Sequence, residues 1–189
     1  VSQDDIKYAW KFINQRGTTK GSIIHDYTEN LFLNKVFPYP KDEIISKFGY
    51  DAVLNEYTKT KKLVDKFYKD SKNKLIPIKT ELVCYDIEYL IAGMVDMLFY
   101  NLKAKEFQIW DWKTNNNFTL NSNYYLKYPL DGIMASNLDI YSLQLSTYKY
   151  IIEKYTNIKL GNSYITRFSS LDENYEVLKT HDYENHVKL

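Results

Sequence analysis

Residues Ile91 to Thr114 read I-A-G-M-V-D-M-L-F-Y-N-L-K-A-K-E-F-Q-I-W-D-W-K-T, and this stretch decides the fold. It contains two strand-like runs, residues 91–100 and 106–113, around the only plausible turn. The midpoint between Asp96 and Asp111 falls between Lys103 and Ala104, inside that turn. A symmetric hairpin closed there sets the two aspartates opposite each other. Side chains alternate faces along a strand, so Asp111 and Lys113 point the same way. Cross-strand neighbours lie about 5 Å apart, and like charges at that distance are destabilising. The pair therefore calls for a cation: Lys113, a metal ion, or both.

Upstream, residues 4–14 place Ile6, Ala9, Trp10 and Ile13 at a helical period. The run R-G-T-T-K-G at residues 16–21 reads as a break. Ser22 then caps a second helix to about residue 35, which Pro38 and Pro40 stop. On it His25 shares a face with Thr28 and Phe32 and borders Ile24 and Leu31, so it faces inward or into a cleft. Residues 41–72 predict two more helices, broken near Gly49-Tyr50-Asp51. The second carries Val53, Tyr57, Val64 and Phe67 against a face rich in lysine, from Lys59 to Lys69. Pro77 marks the change to strand chemistry, with a strand over residues 80–87 ahead of the hairpin.

Downstream, Asn115-Asn116-Asn117 ends the strand block. Residues 115–137 form an irregular excursion with Tyr124, Tyr125 and Tyr128, which either pack it onto the core or stack on unpaired bases. A loop of this length in a compact domain is commonly functional. A long helix over residues 138–155 carries the stripe Tyr141, Gln144, Tyr148, Ile151, Ile152 and Tyr155. Residues 162–168 read as a further strand, and the polar tail to residue 189 as a strand with a weakly held terminus.

The 189 residues fit one domain, residues 1–189, with a helical insertion over about residues 41–74. The composition, 44% hydrophobic and 26% charged, is ordinary for a soluble globular chain. No apolar run reaches the roughly 20 residues of a membrane span, and the first residues lack the pattern of a signal peptide. The single cysteine, Cys84, has no internal disulfide partner and reads as a buried thiol in a reducing, cytoplasmic setting. Net charge is +1, so polyanion binding must come from a local concentration of charge such as the lysine-rich helix.

Three features converge on one chemistry. His25 faces inward from an early helix, Asp96 and Asp111-x-Lys113 sit on the hairpin, and Gln144 interrupts an otherwise aromatic and aliphatic stripe. A buried amide needs a polar partner. Carboxylates are the hard oxygen ligands that Mg²⁺ and Mn²⁺ take. A metal there polarises a scissile phosphate and lowers the pKa of bound water. Lys113 can orient that water and offset developing negative charge. Each residue alone has an ordinary explanation, such as a surface D-x-K ion pair or a Gln bonded to a backbone carbonyl; the order of all four elements is what makes the pattern specific.

The series His25, then G-M-V-D (Gly93 to Asp96), then D-W-K-T (Asp111 to Thr114), then Q-L-S-T-Y (Gln144 to Tyr148) resembles the PD-(D/E)XK nuclease superfamily. Within it the RecB-type branch is the most similar, which includes helicase-linked nuclease domains, CRISPR-associated exonucleases and phage exonucleases. The resemblance implies an α/β, restriction-endonuclease-like core, a mixed central β-sheet flanked by α-helices. It implies metal ligation of Mg²⁺ or Mn²⁺ by His25, Asp96, Asp111 and the backbone carbonyl of Trp112, with Lys113 as the catalytic lysine. Gln144 and Tyr148, one turn apart, match the Q-x-x-x-Y element beside the site and the DNA backbone. Asp111 stands where Glu is more frequent, and Glu81 is an accessory acid at most.

The expected function is metal-dependent hydrolysis of DNA, as an exonuclease in recombination, repair or phage DNA processing. A helicase or single-strand annealing protein is the expected partner, in a bacterial or phage-infected cell. The alternative is a catalytically silent nuclease-fold protein that binds nucleic acid or acts as a scaffold.

Overall fold

A computed structural model describes residues 2–187; residue 1 and the last two residues of the tail lie outside the described residues. The chain divides into two compact units. One comprises the residues up to Asp70 with Lys113–Asn116 and Phe168–Tyr175; the other comprises Ser71–Trp112, Asn117–Arg167 and the residues from Glu176 on.

The first unit is built on three helices: α1 (Gln3–Phe32), α2 (Lys41–Phe48) and α3 (Asp51–Ser71). Ser2 caps α1 in a reciprocal box with Asp5. Helix α1 then runs unbroken through Gly17 and Gly21, correcting the expected break at residues 16–21. Each glycine costs a helix about 1 kcal/mol against alanine, and tertiary contacts override that cost here. Lys20 donates to Glu56 of α3 at 2.7 Å, Arg16 bonds the same carboxylate, and Tyr57 Oη donates to the Arg16 carbonyl at 3.0 Å. At Gly21 a Cβ would meet Thr114 Oγ1 at 3.8 Å, an ordinary van der Waals contact. The N-terminal half of α1 does not bury its apolar side chains: Ile6, Trp10 and Ile13 are exposed. Gly49, at φ 86°, makes the expected break between α2 and α3. Ile23, Ile44, Val53 and Tyr57 form the core of this helical group.

The second unit holds a five-stranded sheet in the order β1-β2-β3-β4-β5. Its strands are β1 (Leu75–Asp86), β2 (Ile91–Asn101), β3 (Glu106–Lys113), β4 (Tyr164–Arg167) and β5 (Glu176–Lys179). β1, β2 and β3 form an antiparallel meander, and β4 pairs with β5 antiparallel. The bridge between Phe107 and Leu160, just ahead of β4, is parallel, so the sheet is mixed. β1 begins five residues earlier than the alternation suggests. It admits Pro77 because it is an edge strand, and the register shifts between Pro77 and Lys79.

Helix α4 (Asn137–Tyr155), capped by Ser136, packs against β1 and β2. Its buried face is Leu138, Ser142, Leu145, Ser146, Ile151 and Ile152. This corrects the expected stripe: Tyr141, Gln144 and Tyr148 are half-buried at its margin, and Tyr155 is exposed. Lys154 ties the end of α4 to the β1–β2 turn, donating to Asp86 at 2.8 Å and Glu88 at 3.0 Å. Leu145, Ile151 and Ile152 form a common core with Leu98 and Ile109 of the hairpin and Ile165 of β4.

The tail is held more firmly than its polarity suggests. His181 N–H donates to Ser142 Oγ at 3.0 Å, and Tyr183 N–H to Ser146 Oγ at 3.1 Å. Asp139, buried in the first turn of α4, lies 2.8 Å from His181 Nδ1 and accepts from Ser136 and Tyr183 hydroxyls. Burial raises the Asp139 carboxyl, but these bonds outweigh it and hold the group below its ordinary value. A short helix, α5 (Glu184–Val187), follows. Among the described residues no helix is long and apolar enough to cross a membrane.

Candidate active site

The β2–β3 hairpin closes where symmetry requires. Asn101 pairs with Glu106 and Met97 with Trp110, with residues 102–105 in the turn. The turn is stabilised by Asn101, whose side-chain oxygen accepts from the N–H groups of Lys103 and Ala104 at 3.0 Å each. Carried one step further, this register sets Asp96 opposite Asp111. The ladder stops there, and a side chain takes over its role: Trp112 N–H donates to Asp96 Oδ2 at 2.7 Å. The acid of the G-x-V-D element is thereby fixed against the backbone of D-W-K.

The irregularity has a counterpart on the neighbouring strand. Glu81 falls between the pairs Thr80–Met97 and Leu82–Val95 and adopts φ 46°. A left-handed non-glycine residue interrupts regular pairing on that side of Asp96. Glu81 itself is exposed.

Along β3, Trp110 and Trp112 pack edge-on against Phe99, with ring centroids 5.8 and 6.3 Å away. Strand alternation puts Asp111 on the other face, with Ile109 of the α4 core. Asp111 is only 4% exposed, while Asp96 and Lys113 are half-buried. The Lys113 carbonyl accepts from Phe168 N–H at 2.8 Å, which fixes the end of β3.

On α4, Gln144 Nε2 donates to Tyr148 Oη at 2.9 Å. This answers the question that a glutamine in an apolar stripe raised: its partner is the tyrosine one turn on. The Tyr148 ring in turn lies directly over Gly93. Within the second unit, named contacts thus join Asp96 to Trp112 and, separately, Gln144 to Tyr148 and Tyr148 to Gly93. His25 lies on α1 in the first unit, half-buried beside Ile24 and one turn from Thr28, both fully buried.

Among the described residues no group of three or more His, Cys, Asp and Glu side chains is gathered as a metal cage. Cys84 is buried, and burial pushes its thiol up to about 11, so it is not a thiolate at neutral pH. In the excursion, Ala135 N–H donates to the Tyr124 carbonyl and Tyr125 bridges to Met134, with Ile133 buried as the anchor. Tyr124, Tyr125 and Tyr128 are all exposed, which leaves their rings accessible rather than packed on the core.

Sequence reading missed the Lys20–Glu56–Arg16 network, because residues 16–21 read as a break. It also missed the Asp139–His181–Tyr183 cluster, whose local signal was the S-x-x-D cap at Ser136 to Asp139. No protein-family model matches the chain, and no curated protein matches it either.

Proposed function

We propose that the protein is a metal-dependent nuclease that hydrolyses DNA phosphodiester bonds, acting as an exonuclease in recombination, repair or phage DNA processing. The observation that carries this reading is the 2.7 Å bond between Asp96 and Trp112 N–H, which places a carboxylate against the D-W-K backbone. The order helix, three antiparallel strands, helix, strand agrees with a restriction-endonuclease-like core. Within the second unit, Asp96, Asp111 and the Trp112 carbonyl are in type the hard oxygen donors that Mg²⁺ or Mn²⁺ takes.

When bound, the ion supplies Lewis acidity toward the scissile phosphate and lowers the pKa of a ligated water. The residues of the chain do the remaining work. Asp96 is held in place by the Trp112 amide, so it need not reorganise to act. Asp111 is shielded from bulk water, which strengthens its interactions with a cation. Lys113 orients the attacking water and offsets charge developing on the phosphate. Gln144 and Tyr148, joined by their own hydrogen bond, present polar groups to the DNA backbone. The exposed tyrosines of the excursion offer stacking surfaces for unpaired bases.

The test is incubation of linear and closed circular DNA with Mn²⁺, Mg²⁺ or EDTA, comparing wild type with Lys113→Ala. Metal-dependent loss of linear DNA alone is expected, and its abolition in the variant. Binding without degradation of any substrate would return the catalytically silent alternative. Equal activity in Lys113→Ala would move the site elsewhere.

A further inference from the structure

The first unit contains a cavity of about 600 Å³, within the range of small-ligand sites. Its wall carries Arg16 and Lys20 from α1, Glu56 and Lys59 from α3, and Thr114 and Asn115 from the segment after β3. Lys20 is only 4% exposed, an expensive position for an ammonium group. Glu56 compensates it: Oε1 accepts from Lys20 Nζ at 2.7 Å, and Oε2 accepts from Arg16 Nη2. Both carboxylate oxygens are therefore occupied by cations. Burial alone would raise the Glu56 carboxyl, but the bonds from Lys20 and Arg16 outweigh it and hold it below its ordinary value, so it stays ionised at neutral pH.

Three cations and one carboxylate line the cavity, which leaves an excess of two positive charges on its wall. Arg16 keeps about a third of its side chain exposed and has donors beyond the one given to Glu56. Lys59 is exposed and lies one turn from Glu56 on the same helix. A guanidinium fork and an ammonium lining one cavity suit a compact, multiply charged oxyanion better than a cation or an apolar ligand. A phosphate monoester, close to two negative charges at pH 7, matches the excess.

We propose that this cavity is a phosphate-monoester site, in which Arg16 and Lys59 contact the phosphate while Lys20 and Glu56 hold Arg16 in position. The phosphate belongs either to a free mononucleotide or to the end of a nucleic-acid strand. Thr114 directly follows Lys113 in the chain, so the strand-end source rests on the nuclease reading; phosphate binding itself does not.

The experiment is calorimetric titration in EDTA, so that no hydrolysis intervenes, with deoxyadenosine 5′-monophosphate, deoxyadenosine and inorganic phosphate. The monophosphate is expected to bind at least about tenfold more tightly than the nucleoside. Lys59→Gln and Arg16→Gln should each weaken it by about tenfold. Lys59 is exposed, so its variant keeps the test open should Arg16→Gln fail to fold. Equal affinity for nucleotide and nucleoside, no binding of either, or unchanged affinity in Lys59→Gln overturns the proposal. A second arm compares one oligonucleotide with a hydroxyl or a phosphate at either end. A preference for the phosphorylated end that Lys59→Gln abolishes identifies the strand end as the source; nucleotide binding without end preference identifies the free nucleotide. Lys113→Ala, titrated in the same buffer, should bind the monophosphate as wild type does. Loss there would assign the phosphate to Lys113 and overturn a separate site, whereas failure of the nuclease reading alone leaves these titrations unchanged.

Discussion

Tyr148 occupies the space that a side chain at Gly93 would need: a Cβ built on Gly93 would lie 2.1 Å from Tyr148 Cε1 and 2.5 Å from its hydroxyl. The glycine of the β2 motif and the tyrosine of the α4 motif are therefore two halves of one contact. Gly93→Ala must push the ring away, and with it the hydroxyl that Gln144 grips. We expect a loss of about 1–3 kcal/mol in urea unfolding, as for other overpacked contacts. Tyr148→Ala in the same background should return part of that loss, and a double-mutant cycle measures how much.

Asp96 has a structural duty separable from any chemical one. Asp96→Ala leaves the N–H of buried Trp112 without its acceptor, at about 1–3 kcal/mol. Asp96→Asn retains a side-chain oxygen for that bond while removing the charge. The asparagine variant should therefore unfold close to wild type yet lose metal-dependent DNA hydrolysis by about 100-fold or more. Full activity in it would remove Asp96 from the proposed chemistry.

The Lys20–Glu56 pair links two helices across 36 residues of sequence. Glu56→Gln strands a buried ammonium and should cost about 3–5 kcal/mol in chemical denaturation. Lys20→Met added to Glu56→Gln removes the stranded charge and should recover most of that stability. A double variant no better than the single one would show that the pair is not the cause.

Acid should weaken the fold through the same carboxylates. Glu56 and Asp139 both titrate in the folded chain below their ordinary values of 4.5 and 3.8. A depressed folded value stabilises above the unfolded pKa, and that stability drains away as pH falls through the folded one. Urea midpoints should therefore be level near neutrality and fall below about pH 4.5. Glu56→Gln and Asp139→Asn should each flatten that fall, starting from a lower plateau.

The hairpin was legible because a short turn and fixed side-chain alternation leave few registers for two strands to adopt. The position of the Asp96 carboxylate on the Trp112 amide was not, because nothing local says that a side chain will replace the ladder. Helix α1 defeated a local reading for a related reason. Gly17 and Gly21 weaken a helix considered alone, and the partners that hold it, Glu56 and Tyr57, are about 40 residues away. On α4 the aromatic residues drew the predicted stripe toward Tyr141 and Tyr155, whereas the buried face includes Ser142 and Ser146. Those serines are buried because the tail residues His181 and Tyr183 bond to them, a long-range fact that propensity does not carry.

The placement of indole rings along β3 gives the molecule an optical gauge. Of its three tryptophans, Trp110 and Trp112 are buried on either side of Asp111, and Trp10 is 67% exposed. Removing the exposed ring with Trp10→Phe leaves emission arising only from the two that bracket the carboxylate. Titrating that protein with Mn²⁺, a paramagnetic quencher, then tests the proposed metal site: saturable quenching that Asp111→Asn abolishes is expected, with no substrate present and no turnover required.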